Sequence, residues 1–453
     1  MMASLVRLAL VLSLLTLGCQ SGEAREPDAE TTTGGESSPR STSTPKPGSQ
    51  SGGEGDDLVL ESTAPDAESP WGATRAEQCR RPARPVMASK ARKSFDRGLR
   101  ELDNGNVSAA EGYFKDALKK DVAAYPALYN LGVLADRAGD ERQALAYYRR
   151  ALEALADYEP AARGLAIIDL RRGNAKGAVA IVEPIANDYR TNLEIQALYA
   201  EVLVEARRYE EAWLAARRAL KCDERFVPAL IALEKASRAQ GRNELADSIL
   251  AQAMAVDPNV AELHYLRGEQ LKDEPGKLRE VLEAYERAVT LRPDYAEARM
   301  ALGVQLLAGG NYDAAASHFE AAKQLVPTLA AVHVNLGDAY RAMERWTDAQ
   351  QSYRRALELE SKLPEAHFGL GLLYLSAGAQ FPGLDEIPAL EKSKGEFQTY
   401  RNQMGPRLGR DDPSGEYLRD LDRMIQRAKR RMERDKERAA REAERGARED
   451  ATP

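Results

Sequence analysis

The chain predicts an all-α solenoid, a stack of short helix pairs repeated end to end, and three observations carry that expectation. From Ala91 to about Glu360 the sequence repeats with a period of 34 residues, eight times over. Small residues recur in fixed columns of that repeat. Prolines then fall at a constant offset behind them. A period of this length marks a supersecondary unit that cannot bury its apolar face alone and so stacks on copies of itself.

The first column is small: Gly98, Gly132, Ala166, Ala200, Gly268, Gly303, Gly337 and Gly371, with Glu234 in its place in the fifth repeat. The second column holds Ala110, Ala144, Ala178, Ala212, Ala246, Val281, Ala315 and Ala349. The third is aromatic or aliphatic, with Phe114, Tyr148, Val182, Leu250, Tyr285, Phe319 and Tyr353, and only Ala216 small. A fourth returns to alanine at 117, 151, 219, 253, 288, 322 and 356, broken by Ile185. Pro258, Pro293 and Pro327 each stand five residues further on, where a helix must stop because proline lacks the N–H and clashes with the preceding turn. A single one-residue slip, between Gly268 and Val281, falls in the turn around Lys272–Gly276.

Each repeat therefore reads as two amphipathic helices joined by a tight turn, such as Ala138-Gly139-Asp140 or Gly309-Gly310-Asn311. Small residues sit where the two helices touch, and the aromatic column fills the space beside them. The stretch Leu128-Tyr-Asn-Leu-Gly132 with Ala144, Tyr148 and Ala151 resembles the tetratricopeptide repeat (TPR) family, as does Leu336-Gly337 with Tyr340, Ala349, Tyr353 and Ala356. The resemblance covers about two-thirds of the chain and implies a right-handed superhelix that binds other proteins and has no chemistry of its own. Glu234, and Glu224 and Ser361 where proline is usual, depart from the family pattern.

The elements before the repeats read differently. Residues 1–18 carry one charge, Arg7, ahead of an apolar run from Leu8 to Leu17. That run is shorter than the ~20 residues a membrane-spanning helix needs and reads as a secretory signal. Leu15-Thr16-Leu17-Gly18-Cys19 resembles a bacterial lipobox, which implies lipidation of Cys19; the plain alternative is a secretory signal with an incidental cysteine. Gln20 after it implies sorting to the outer membrane. Residues 19–90, crowded with Ser, Thr, Gly and Pro, are expected as a disordered tether with a span of roughly 40–50 Å.

Beyond the eight repeats of 91–362, residues 363–410 read as a divergent ninth. Gly371 and Tyr374 repeat the first-helix signature, but Gly383 occupies the alanine column, and a later helix around Pro388–Gln403 carries Phe397 and Tyr400. Asp412-Pro413 then opens an amphipathic capping helix within 411–453, with Tyr417, Leu418, Leu421, Met424, Ile425 and Ala428 at helical spacing, before a charged tail.

Composition excludes several classes. The net charge is −7 with 30% charged residues, which leaves no footprint for nucleic acid. Of three cysteines, Cys79 and Cys222 remain beside Cys19. They are expected as free thiols, and a bridge between them would pin the tether back onto the repeats. His264, His333 and His367 share one repeat position and read as first-helix packing, with no metal-binding motif. No catalytic motif and no cofactor fingerprint is present, so no enzyme is expected. Asn130 and Asn335 occupy a position that in some TPR proteins binds an extended peptide. Gly164, Leu198, Ala232, Leu266 and Ala301 stand there in other repeats, so no ladder forms and these two are candidate individual partner contacts.

Signal, tether, long repeat array and the Phe397/Tyr400…Asp411-Asp412-Pro413 tail together resemble the gliding-motility TPR lipoproteins of myxobacteria. That resemblance implies an outer-membrane, periplasm-facing scaffold whose partners are periplasmic and outer-membrane components of a motility complex. Rival readings are an assembly factor for outer-membrane barrels or a pilus secretin, whose TPR lipoproteins usually carry far fewer repeats, and a passive spacer between membrane and wall.

Overall fold

The computed structural model describes residue 79 and residues 84–449, and every described regular element is helical. Nineteen α-helices follow one another: α1 Ser89–Asp103, α2 Val107–Lys120, α3 Tyr125–Arg137, α4 Glu141–Ala154, α5 Glu159–Arg171, α6 Ala175–Asp188, α7 Leu193–Glu205, α8 Tyr209–Cys222, α9 Val227–Ala239 and α10 Asn243–Val256. They continue as α11 Ala261–Leu271, α12 Leu278–Leu291, α13 Ala296–Ala308, α14 Tyr312–Leu325, α15 Ala330–Ala342, α16 Trp346–Leu359, α17 Pro364–Ala377, α18 Glu386–Met404 and α19 Ser414–Glu449. Odd-numbered helices through α17 carry the first column, and even-numbered ones carry the other three.

The turn inside each pair needs one residue in the left-handed region, which glycine enters without steric cost. Gly139 (φ 79°) and Gly310 (φ 81°) supply it in the second and seventh repeats. The next residue then starts the second helix: Asp140 Oδ1 accepts from the Gln143 N–H at 3.0 Å, an N-cap visible in the sequence. In the fourth and eighth repeats Arg207 (φ 59°) and Glu344 (φ 57°) take the glycine's place.

The contact pattern divides the chain into two units. One comprises, among the described residues, 79 and 84–161 with 189–192. Its core joins Ala91, Phe95, Ala110, Phe114, Ala117, Leu131 and Leu134, and Tyr158 packs edge-on against Tyr125 at 4.7 Å. The helix opening this unit starts at Ser89, two residues ahead of the expected boundary, and the Ala88 N–H donates to Asp121 Oδ2 at 2.9 Å.

The second unit comprises 162–188 with 193–449 among the described residues. Here first helices touch the first helices of neighbouring pairs, α7 on α9, α13 on α15 and α15 on α17. They form one side of the stack. The ninth pair is complete: α18 packs along α17, its start displaced by the inserted segment 378–385. Ser393 takes the second-column place and Phe397 the third, ten residues late. Ser393 Oγ donates to the Gly371 carbonyl at 2.8 Å. The cap follows as expected. Phe397 stacks on Tyr417 at 5.1 Å, and Leu390, Phe397, Leu421 and Ile425 close an apolar cluster. Asp412 organises the entry to α19: Oδ2 accepts from the Tyr400 hydroxyl at 2.6 Å, and Oδ1 accepts from the Ser414 N–H at 3.0 Å.

Candidate binding face

The packing residues singled out by the repeat come together as pairs. A Cβ placed on Gly98, Gly132, Gly303 or Gly337 would lie 2.5 Å from the ring of Phe114, Tyr148, Phe319 or Tyr353, the third-column residue of the same repeat. Gly371 faces Phe397 in the same manner, at 2.9 Å, and Gly268 faces Tyr285. Ala144 and Ala349 are fully buried beside them. The columns are therefore coupled. Glycine stands where the third column is aromatic, whereas Ala166 accompanies Val182 and Ala200 accompanies Ala216. Two of the three tyrosines buried this way are answered by an acid one residue after the glycine: Tyr285 donates to Glu269 and Tyr353 to Asp338, each at 2.7 Å, whereas Val133 follows Gly132 beside Tyr148.

The histidine column has a definite role in the described repeats. His264 Nε2 donates to the Pro258 carbonyl at 2.8 Å and His333 Nε2 to the Pro327 carbonyl at 2.9 Å. Arg299 Nε does the same for Pro293 at 2.6 Å. The side chain six residues after the proline thus satisfies a carbonyl that the helix stop leaves open. His367 differs, with Nδ1 at 2.7 Å from Glu396. No group of three or more metal-ligating side chains exists among the described residues.

Asn130 is 6% exposed, and its Nδ2 donates to the Pro126 carbonyl at 2.8 Å. Asn335 is half-buried. At the equivalent place in the ninth repeat a Cβ on Gly369 would run into the ring of Tyr353, in the preceding repeat. The position is thus largely a packing position between repeats, which explains why Leu198, Ala232 and Leu266 are buried there. Cys19 lies outside the described residues. Cys79 and Cys222 are both disulfide-bonded, which corrects the expectation of free thiols. Pairing depends on tertiary proximity, and the sequence holds no local sign of it.

Sequence reasoning missed a charged cluster on the first-helix side of the second unit. Arg163 (α5) donates to Glu201 (α7) at 2.7 Å. Lys235 (α9) pairs with Glu262 (α11). Glu205 (α7) stands beside Lys235, Glu201 and Glu262, half-buried and joined to none of them by a hydrogen bond. Glu297 (α13) is 4% exposed, and neither of its carboxylate oxygens has a donor. Arg292, in the turn before α13, lays its guanidinium 3.4 Å from the ring centre of Tyr295, leaving Nε and Nη2 without acceptors. Burial pushes both Glu205 and Glu297 up to about 7, because desolvation disfavours the charged carboxylate. The sequence did hold a sign of this: Glu201 and Lys235 share one repeat position, and Glu262 and Glu297 share another.

Family models for tetratricopeptide repeats match residues 95–160 and 276–330, 137–202, and 337–378. The chain thus carries tetratricopeptide repeats, in keeping with the helix pairs and coupled columns described above. The human protein O-mannosyl-transferase TMTC1 is similar at 25% identity over 229 residues, half of this chain. The chain spans about a quarter of the length of that relative. Among solved structures, the APC/C hetero-tetramer Cut9–Hcn1 is similar at 15% identity, covering 74% of this chain and 77% of that one with a TM-score of 0.42. A tetratricopeptide repeat protein from Parabacteroides merdae aligns at 19% identity over 56% of this chain and 99% of its own, TM-score 0.43.

Proposed function

We propose that this protein is a non-catalytic, protein-binding scaffold held by a lipid on Cys19 at the periplasmic side of the outer membrane, as a component of an envelope-spanning gliding machine. The observation that carries the scaffold part is the stack itself. Nine helix pairs pack along the described chain, six of them through glycine–aromatic contacts, and the first-helix side is left to present side chains. A repeat stack of this kind offers a long surface built from many similar segments, which suits recognition of another protein. The lipid anchor rests on the apolar run Leu8–Leu17 before Gly18-Cys19. The motility role rests on the resemblance of the whole arrangement, including the Tyr400–Asp412 contact that ties its tail motif together.

The test is brief crosslinking in the native cells, purification of the tagged protein in mild detergent, and mass spectrometry. Recovery of motor and outer-membrane barrel components supports the motility reading. Recovery of a secretin or the barrel-assembly machinery replaces it with an assembly factor. Cys19→Ala is expected to release the protein from the membrane fraction, and retention there would remove the lipid anchor from the proposal.

A further inference from the structure

We propose that the first-helix face of repeats four to seven is a receptor for a cationic side chain, lysine or arginine, carried on an extended segment of a partner protein, with Glu205 as its direct acceptor. The inference rests on the scaffold reading and specifies the chemistry of the partner.

The unpartnered groups decide the sign of the ligand, since Glu205 has no hydrogen bond, whereas the one cation with free donors, Arg292, lies over the ring of Tyr295. Facing one another are three cations, Arg163 from α5, Lys235 from α9 and Arg292 before α13, and four carboxylates, Glu201 and Glu205 from α7, Glu262 from α11 and Glu297 from α13. The hydroxyls of Tyr265 and Tyr295 complete the surroundings, held far above their ordinary titration range by burial and by these acids. Arg163 is engaged by Glu201 and Lys235 by Glu262. Glu205 and Glu297 remain on either side of the Lys235–Glu262 pair, without hydrogen bonds. A desolvated carboxylate with no donor is costly unless something else supplies one. Glu205, the less buried of the two, is the one a ligand reaches. Glu297, more deeply buried beside Glu262 and Lys235, adds attraction through a medium of low dielectric.

The spacing favours a chain over a lone ion. The groups come from the first helices of successive repeats, as docking places along an extended segment would, and no three ligating side chains converge for a metal among the described residues. Because burial holds both free carboxylates near neutrality, an arriving cation displaces protons from them, and binding at pH 7 releases protons to the buffer.

The experiment is calorimetry on the full chain in detergent with capped eight-residue Gly–Ser peptides carrying three lysines, three arginines or three glutamates, in buffers of different ionisation enthalpy. The lysine or arginine peptide is expected to bind with proton release, the glutamate peptide not to bind. Glu205→Gln is expected to weaken binding at least tenfold and to reduce the proton release, whereas Glu433→Gln with Glu437→Gln on the exposed tail of α19 leaves both unchanged. Spermidine is the comparison ligand. Binding of spermidine as tight as that of the peptides, and equally dependent on Glu205, would overturn a protein segment as the occupant. Equal loss in the tail variant, or no loss in Glu205→Gln, would overturn the site. If partners are still captured by crosslinking in that case, the scaffold reading stands and only this inference falls.

Discussion

In the eighth repeat Gly337 lies against the ring of Tyr353, whose hydroxyl is bound by Asp338. In the fifth the same two places hold Glu234 and Leu250, and the solution is electrostatic. Glu234 is 1% exposed, and its Oε1 accepts from Arg238 Nε at 2.6 Å. Arg238 also reaches Asp247 at 2.9 Å. The contact of a glycine with a plain phenyl ring, as between Gly303 and Phe319, is apolar and indifferent to pH. A buried carboxylate leaning on one guanidinium depends on that partner and on its own protonation. Two repeats can thus share a backbone arrangement and differ entirely in what breaks them.

The largest effect is expected at the fifth repeat. Arg238→Ala strands Glu234, with a cost of about 3 kcal/mol at pH 8, as for breaking a buried pair. Burial already raises Glu234 above the ordinary carboxylate range, so at pH 5 the stranded group takes up a proton and the loss shrinks. Thermal melts at the two pH values check this, and an equal loss at both would refute the account.

Next comes the glycine–aromatic contact. Gly303→Leu forces side-chain atoms into the space of the Phe319 ring and is expected to cost ~1–3 kcal/mol with no pH dependence. In a Phe319→Leu background the same change should cost clearly less, and a double-mutant cycle measures the difference. An unchanged melting curve for Gly303→Leu would break the register itself.

A gain is expected at Glu297. Its folded value of about 7 lies above the ordinary 4.5, so between these values the folded state binds more protons than the unfolded state. Stability on this account falls as pH rises through that window and stays lower above it. Glu297→Gln should therefore stabilise the chain by ~1–3 kcal/mol at pH 8 and hardly at pH 4. Denaturant titrations at both pH values read it, and a gain of the same size at pH 4 would assign the effect to packing instead.

The smallest effect separates the turns. Glu344→Gly and Arg207→Gly relieve a left-handed residue that glycine adopts freely, for a gain of about 0.5–1 kcal/mol each. Gly310→Ala should lose a similar amount.

Much of this was legible beforehand, and in particular residues. The helix pairs, the glycine turns, the proline stops and the cap at Asp412 follow from short-range rules that a sequence displays directly. The ninth repeat was half-legible. Gly371 announced its first helix, but the insertion hid that Phe397 answers Gly371 as Tyr353 answers Gly337. The histidine column reads in the sequence as first-helix packing, and the hydrogen-bond partner of His264 and His333, the carbonyl of the proline six residues earlier, appears only in three dimensions. Asn130 reads in the sequence as a candidate partner contact, and the structure turns its amide onto the Pro126 carbonyl of its own helix.

What the sequence determined by itself is the repeat: its length, its small and aromatic columns, and therefore an all-helical stack, because these depend on contacts within one pair or between neighbours and recur every 34 residues. What only the tertiary structure decided is which side chains from different repeats meet. Such are the oxidised state of Cys79 and of Cys222, and the gathering of Arg163, Glu201, Glu205, Lys235, Glu262 and Glu297 from five different first helices. No local pattern encodes such meetings, since they arise from the rotation of one repeat on the next, and burial then sets the charge each group carries.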